Sequence, residues 1–354
     1  MTADSRPILI TGGAGFIGSN LADRLAGEGH RILIYDALSR AGVDRNLAWL
    51  NMRHGRLITH VPGDVRDEDE LVRAAKDAKA AFHLAAQVAV TTSLADPRED
   101  FDVNVRGTVN LLDAVRVRPE RVPVIFASTN KVYGDLADIQ FDTLHDRYEP
   151  KGFAARRGID ESRPLDFHTP YGCSKGAADQ YVLDYARSFG VPTAVFRMSC
   201  IYGQRQMGTE DQGWVAHFLI RALEGRPITI YGDGRQVRDI LDVGDAVNSY
   251  VAALKNIDRI AGSAFNLGGG PANAVSLLEL IDEMQAITGR EIELGFEDWR
   301  QGDQRWFVAD ASKARAELRL PKPRGWRDGV AALAEWLAAE RRVELHPELA
   351  SAAE

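Results

Sequence analysis

The chain has 354 residues, 45% of them hydrophobic and 27% charged, with 43 basic and 51 acidic side chains and a formal net charge of −8. That length buries a sizeable core in one large or two closely joined domains, and an acidic chain with no dense Lys/Arg block excludes nucleic acid as a partner. Cys173 and Cys200 are the only cysteines, which excludes a disulfide framework and a cysteine-rich metal site, so no metal is expected. No apolar run approaches the ~18 residues of a membrane span and Met1–Pro7 holds no signal-peptide core; a cytoplasmic location with no membrane partner is expected.

Ile8-Leu9-Ile10 reads as a buried strand. It runs into Thr11-Gly12-Gly13-Ala14-Gly15-Phe16-Ile17-Gly18, which opens a helix with Phe16, Ile17, Leu21 and Leu25 on one face. Between a strand and a helix, Gly-x-x-Gly-x-x-Gly is a dinucleotide fingerprint. Gly12 makes the tight turn, Gly15 lets pyrophosphate approach the backbone, and Gly18 lets helix and strand pack closely. Arg31–Asp36 is the next strand. Asp36 ends it 18 residues after Gly18, placed to take the adenosine ribose hydroxyls, which favours NAD over NADP. Further apolar strands are expected at Leu57–Val61, Ala80–Ala86, Val124–Ser128 and Thr193–Ser199. Helical stretches between them predict an α/β fold, a Rossmann-type doubly wound parallel sheet covered on both faces.

Asp135–His168 reads as a long, charged, irregular loop. Thr169-Pro170 then caps a helix carrying Tyr171, Cys173 and Lys175, with Cys173 expected to pack. Tyr171 and Lys175 lie four apart and share a face. Beyond about Tyr202, short strands (Ile228–Tyr231, Phe265–Leu267) and helices (Val215–Leu223, Ser276–Thr288, Val330–Ala339) predict a smaller mixed α/β substrate-binding lobe. The expected division is a dinucleotide-binding domain over 1–200, a lobe mainly over 201–343 with an interleaved boundary, and a flexible tail over 344–354.

In a dinucleotide fold, Tyr171 is expected to be the acid/base, with Lys175 and a cationic nicotinamide lowering its pKa toward neutrality. Lys175 also reaches the nicotinamide ribose, and Thr129 orients the substrate oxygen. Thr129, Tyr171 and Lys175 are thus the expected catalytic residues.

These motifs resemble the extended short-chain dehydrogenase/reductases that modify nucleotide sugars, from Ile8 to about Trp336. The resemblance implies a tightly bound NAD that is not consumed. Asp64 and Val65 would meet its adenine, Leu84, Ala85, Ala86 and Gln87 would line it, and Asn104, Ser128 and Met198 would complete its site. It also implies a nucleotide-diphosphate sugar substrate. Arg238 and Arg300 would take phosphates and Asp303 a ribose hydroxyl, with Gln87, Thr129, Asn130, Cys200, Arg205, Gln212 and Trp214 as further contacts. A homodimer is implied as well, in which Asp102–Val115 and the Tyr171–Phe189 helix pack against a second copy and bury Val105, Val109 and Tyr185.

The residues after Thr129 separate activities within this family. A 4,6-dehydratase carries Asp-Glu there, a glucuronate decarboxylase Glu, and a 3,5-epimerase/reductase a nearby Cys. Asn130-Lys131 provides nothing beyond hydride transfer through Tyr171. The runs Ser128–Asp135, Leu165–Tyr181, Asp211–Val215 and Asp303–Asp310 resemble the CDP-paratose (CDP-tyvelose) 2-epimerases, with departures at Met198, Cys200 and within Asp135–Asp160. This implies inversion at C2 of a hexose through a 2-keto intermediate. A 4-epimerase acting through a 4-keto intermediate stays open as the alternative, whereas a non-catalytic NAD-binding regulator is disfavoured because Thr129, Tyr171 and Lys175 are all present.

Overall fold

The structure, a computed structural model, describes residues 5–152 and 157–345. Its main sheet has seven parallel strands: β1 (Ile8–Thr11), β2 (Ile32–Asp36), β3 (Ile58–Pro62), β4 (Ala80–His83), β5 (Val124–Thr129), β6 (Thr193–Met198) and β7 (Ser263–Leu267). The spatial order is β7-β6-β5-β4-β1-β2-β3. Such strands are covered on both faces, so they read as unbroken apolar runs; all of β1 and all of β5 is buried. The order reverses between β1 and β4, and there the loops after the two strands diverge and leave a crevice.

Two apolar cores flank the sheet. One joins Ile10, Leu21, Phe82, Phe196 and Tyr250, and the other Leu9, Leu111, Phe126, Val182 and Val195. A third fills the smaller lobe, from Tyr202 through Leu219, Ile240 and Leu280 to Leu333. The lobe pairs Ile228–Tyr231 with Leu294–Glu297, and uses Val237–Asp242 to join Ala274–Ser276, Trp306–Phe307 and Cys200–Tyr202.

Several expectations are corrected. The strand at Phe265–Leu267 is not in the lobe: as β7 it forms the edge of the main sheet, with Phe265 opposite Phe196. A short apolar run carries no local sign of which sheet takes it. The strand expected over Ala80–Ala86 ends at His83, because Leu84–Gln87 peels away from the sheet. Cys173 is exposed. Within Asp135–His168, Phe141–Thr143 and Tyr148–Pro150 form a hairpin, pinned to the lobe by Tyr148 Oη donating to Asp233 (2.7 Å) and by Arg147 against Glu279 (2.9 Å).

The helices expected at a dimer face are present as Pro97–Phe101, a π turn over Asp102–Arg106, Gly107–Arg116 and Thr169–Phe189. Val105 and Tyr185 are already buried within the chain, and Tyr185 Oη donates to Asp113 at 2.8 Å. The large apolar side chains left exposed on these helices are Phe101, Tyr181 and Phe189. The expected tail falls, from 346 onward, outside the described residues. Among the described residues no helix is long and apolar enough to cross a membrane.

Candidate active site

A cleft of about 840 Å³ lies between the C-terminal ends of the main-sheet strands and the lobe. The glycine turn forms its floor. Gly12 has φ +68°, and a Cβ there would lie 2.7 Å from the Ala85 amide nitrogen, so only glycine fits. Gly15 begins the helix Phe16–Gly27, and no side chain caps the first amides of that helix. Open helix amides beside closely approaching backbone form an anion cradle, the fit a dinucleotide pyrophosphate requires. Gly12, Gly15, Phe16, Ile17 and Gly18 all line the cleft.

The rest of that wall is locked from behind. Asp36 accepts from the amides of Ala14 (2.9 Å) and Leu38 (2.8 Å), which holds its carboxylate against the glycine turn. Asp64 is paired with Arg66 at 2.6 Å, and this guanidinium holds the Asp64 carboxyl below its ordinary range. Gln87 closes a loop on Ala89, donating to its carbonyl (2.8 Å) and accepting from its amide (2.5 Å). Asn104 is buried, and its side chain accepts from Gln87 N (2.9 Å) and donates to Ser174 Oγ (3.0 Å). It therefore ties the Leu84–Gln87 loop to the Tyr171 helix and does not line the cleft. His83 is also behind the wall, bridged between Thr11 (2.7 Å) and Thr108 (3.0 Å), and burial pushes its pKa down to about 3.

Thr129 ends β5, Lys175 follows Tyr171 by one helical turn, and all three side chains meet the cleft. Tyr171 N donates to Ser93 Oγ at 3.2 Å, which seats the first turn of its helix. Burial pushes the Tyr171 phenol up to about 12, and a hydrogen bond with Thr129 opposes this. Lys175 is itself buried, with Nζ 4.2 Å from the Phe126 ring centroid, and loss of water pushes it down to about 7. The carboxylates of Asp179 and Asp100 oppose that fall.

The facing wall is charged. Arg238 Nη2 donates to Asp303 Oδ1 at 2.6 Å, and Nη1 to the Val237 carbonyl at 2.8 Å. Arg300 meets Glu210 at 3.0 Å and Asp211 at 3.6 Å, with its guanidinium 3.8 Å from the Tyr231 ring centroid. Cys200 accepts from Trp214 Nε1 at 3.4 Å, and burial pushes its thiol up. Asn130 Nδ2 donates to Gln304 at 3.0 Å. Ser128, Met198 and Gln212 complete the predicted residues at the cleft. Arg205 does not join them: its guanidinium is sandwiched between Trp49 (4.1 Å) and Trp336 (5.4 Å), outside the cleft lining.

Residues not singled out from the sequence complete this wall. Lys131 lines the cleft, with Nζ donating to the Gly302 carbonyl at 2.9 Å and 3.7 Å from Asp303. Glu210 and Asp211 hold Arg300, and Gln236, buried, donates to the Tyr231 carbonyl at 2.7 Å. The Asn130-Lys131 departure from a dehydratase pattern and the Asp211–Val215 run were the sequence signals near them.

The family model described as the NAD dependent epimerase/dehydratase family matches residues 8–268. The chain is 44% identical to CDP-paratose 2-epimerase of Salmonella typhi, over 93% of this chain and 98% of that one. It is 30% identical to a putative UDP-glucose 4-epimerase of Methanocaldococcus jannaschii, over 95% and 99%. Among solved structures it is similar to UDP-glucuronic acid 4-epimerase of Bacillus cereus in complex with UDP-glucuronic acid and NAD. The TM-score is 0.81 at 27% identity, covering 94% of this chain and 99% of that one.

Proposed function

This chain belongs to the NAD dependent epimerase/dehydratase family, and from that premise we propose that it inverts C2 of a nucleotide-diphosphate hexose of the CDP-paratose/CDP-tyvelose type through a 2-keto sugar. The observation that carries this is the 44% identity to a CDP-paratose 2-epimerase over nearly the full length of both chains. The glycine turn, open helix amides and Asp36 fit NAD. When bound, NAD supplies the hydride acceptor and donor and a positive charge beside Tyr171.

The chain's own residues do the rest. Thr129 orients the C2 hydroxyl, and Tyr171 takes its proton and later returns it. Because burial holds the isolated phenol near 12, Tyr171 depends on cationic neighbours to ionise, and Lys175 is the protein's own. Between the two proton transfers the sugar turns its other face to the site while Arg238 and Arg300 keep the diphosphate. Tight hold on the phosphates and loose hold on the sugar is the division such a turn requires. Asp64 and Val65 serve the adenine end, and Asp303 positions the nucleotide side.

The protein is further proposed to be cytoplasmic and a homodimer, with Phe101, Tyr181 and Phe189 as the apolar strip that a second copy covers. Incubation with CDP-, GDP- and UDP-hexoses, read by proton NMR, tests the reaction. A C2 epimer formed without added NAD supports it, whereas a C4 epimer would assign the chain to the 4-epimerases.

A further inference from the structure

Lys131 is a cation that the mechanism above leaves unused. Its side chain is about four-fifths buried, at 21% exposure. Its polar contacts are the Gly302 carbonyl at 2.9 Å and the Asp303 carboxylate at 3.7 Å. Asp303 is already committed to Arg238 at 2.6 Å, a closer pair. Two cations therefore share one carboxylate, and the cluster carries an excess positive charge. Burial disfavours such a charge, and an anion arriving from the cleft is what balances it.

The position of that excess charge is informative. Lys131 follows Thr129 by two residues, and its own amide donates to Thr129 Oγ1 at 3.2 Å. Thr129 lines the same cleft as Tyr171. Arg300 lies elsewhere, stacked on Tyr231 and tied to Glu210. In a nucleotide-diphosphate hexose, C1 carries the sugar-bearing phosphate. When C2 is the carbon presented to Tyr171, that phosphate hangs from the adjacent carbon and falls beside Thr129. When C4 is presented, the phosphate lies across the ring, away from it. A cation in excess, carried two residues after Thr129 and lining the same cleft, suits the first arrangement.

We propose that Lys131 receives the phosphate attached to the sugar, and that with Arg238 it forms a subsite distinct from the Arg300 contact. This rests on the C2 reaction proposed above. Lys131 is then a specificity-determining residue whose charge holds C1 near the reacting centre.

The test uses the protein with its bound NAD and the probes CDP and CMP, with UDP and UMP in parallel. Both members of each pair carry the α-phosphate, and only the diphosphate carries the sugar-side one. Lys131→Met keeps the straight side chain and removes the charge. It should weaken CDP roughly tenfold, the loss of one charge-assisted hydrogen bond, and leave CMP within about twofold. Lys131→Arg keeps the charge and should retain most of the preference for CDP, which keeps the test open should the Met variant fold poorly. Equal losses for CDP and CMP, or no loss for either, would overturn the proposal; the first would mean that Lys131 only props the Gly302–Asp303 loop. Product analysis of the unaltered enzyme tests the C2 reading separately, so the two failures are told apart.

Discussion

The two walls of the cleft are built on opposite principles. The sheet-side wall is made of backbone: the Gly12 turn, the open amides after Gly15, and the Leu84–Gln87 loop held by Asn104. Its geometry is complete without a ligand. The lobe-side wall is made of charges that already have partners, Arg238 with Asp303 and Arg300 with Glu210 and Asp211. A phosphate entering beside Arg300 replaces carboxylates, whereas one beside Lys131 balances a charge left in excess. Affinity on the first wall follows from shape, and on the second from the difference between two sets of ion pairs.

Tyr171→Phe should break the first wall's chemistry while sparing the second. Turnover should fall by roughly 10³-fold or more with nucleotide binding within a few-fold, read by steady-state kinetics and calorimetry, because only the proton-carrying oxygen is removed. Near-normal turnover would move the proton transfer to another group.

Next in size is Gly12→Ala. The added Cβ meets the Ala85 backbone and forces a positive φ on alanine, at a cost of about 1–3 kcal/mol. The purified variant should carry far less NAD, measured by absorbance after denaturation. Full NAD content would show that this wall yields more than its geometry suggests.

A third test concerns pH. Burial depresses Lys175 from 10.5 to about 7 in the folded chain. The unfolded chain then binds more protons between those values. The ligand-free protein should gain stability as pH rises from about 7 toward 10.5, and lose that contribution as pH falls through 7. Lys175→Met should remove this slope, seen as urea midpoints that depend less on pH than those of the parent. The smallest effect is expected from Glu210→Gln. This carboxylate is half exposed, and freeing Arg300 should tighten nucleotide-diphosphate binding by about twofold to fivefold. Weaker binding would mean that Glu210 orders Arg300 and does not compete with the ligand.

The same contrast decides what could be read in the sequence. Buried parallel strands announce themselves as apolar runs, so β1 to β6 were legible within a few residues. Glycine turns and a Tyr-Lys pair one turn apart are local patterns with a local cause, and the structure gathers Thr129, Tyr171 and Lys175 at one cleft. The second wall depends on pairings between distant residues. Arg238 read as a phosphate grip, and no local pattern showed that it lies in a strand, Val237–Asp242, whose Val237 to Leu241 are buried. Arg205 had the right residue type in a plausible register, but two tryptophans more than 100 residues away on either side claim it. Lys131 was legible only as one of the pair after Thr129 and not as a ligand-binding charge, because that role lies in its pairing with Asp303 and no local spacing joins the two.

The path of the chain between the two cores also bears on how the protein comes apart. After β6 the chain enters the lobe, returns to the main sheet for Val243–Lys255 and β7, and leaves again for Ala274–Phe307. It comes back for Ser312–Leu318 and enters the lobe again with Trp326–Arg341. The cleft walls are thus laced together by repeated crossings, and no single cut yields either half as an intact folding unit. Limited proteolysis should give nicked but associated protein, and neither half should be obtainable by simple truncation.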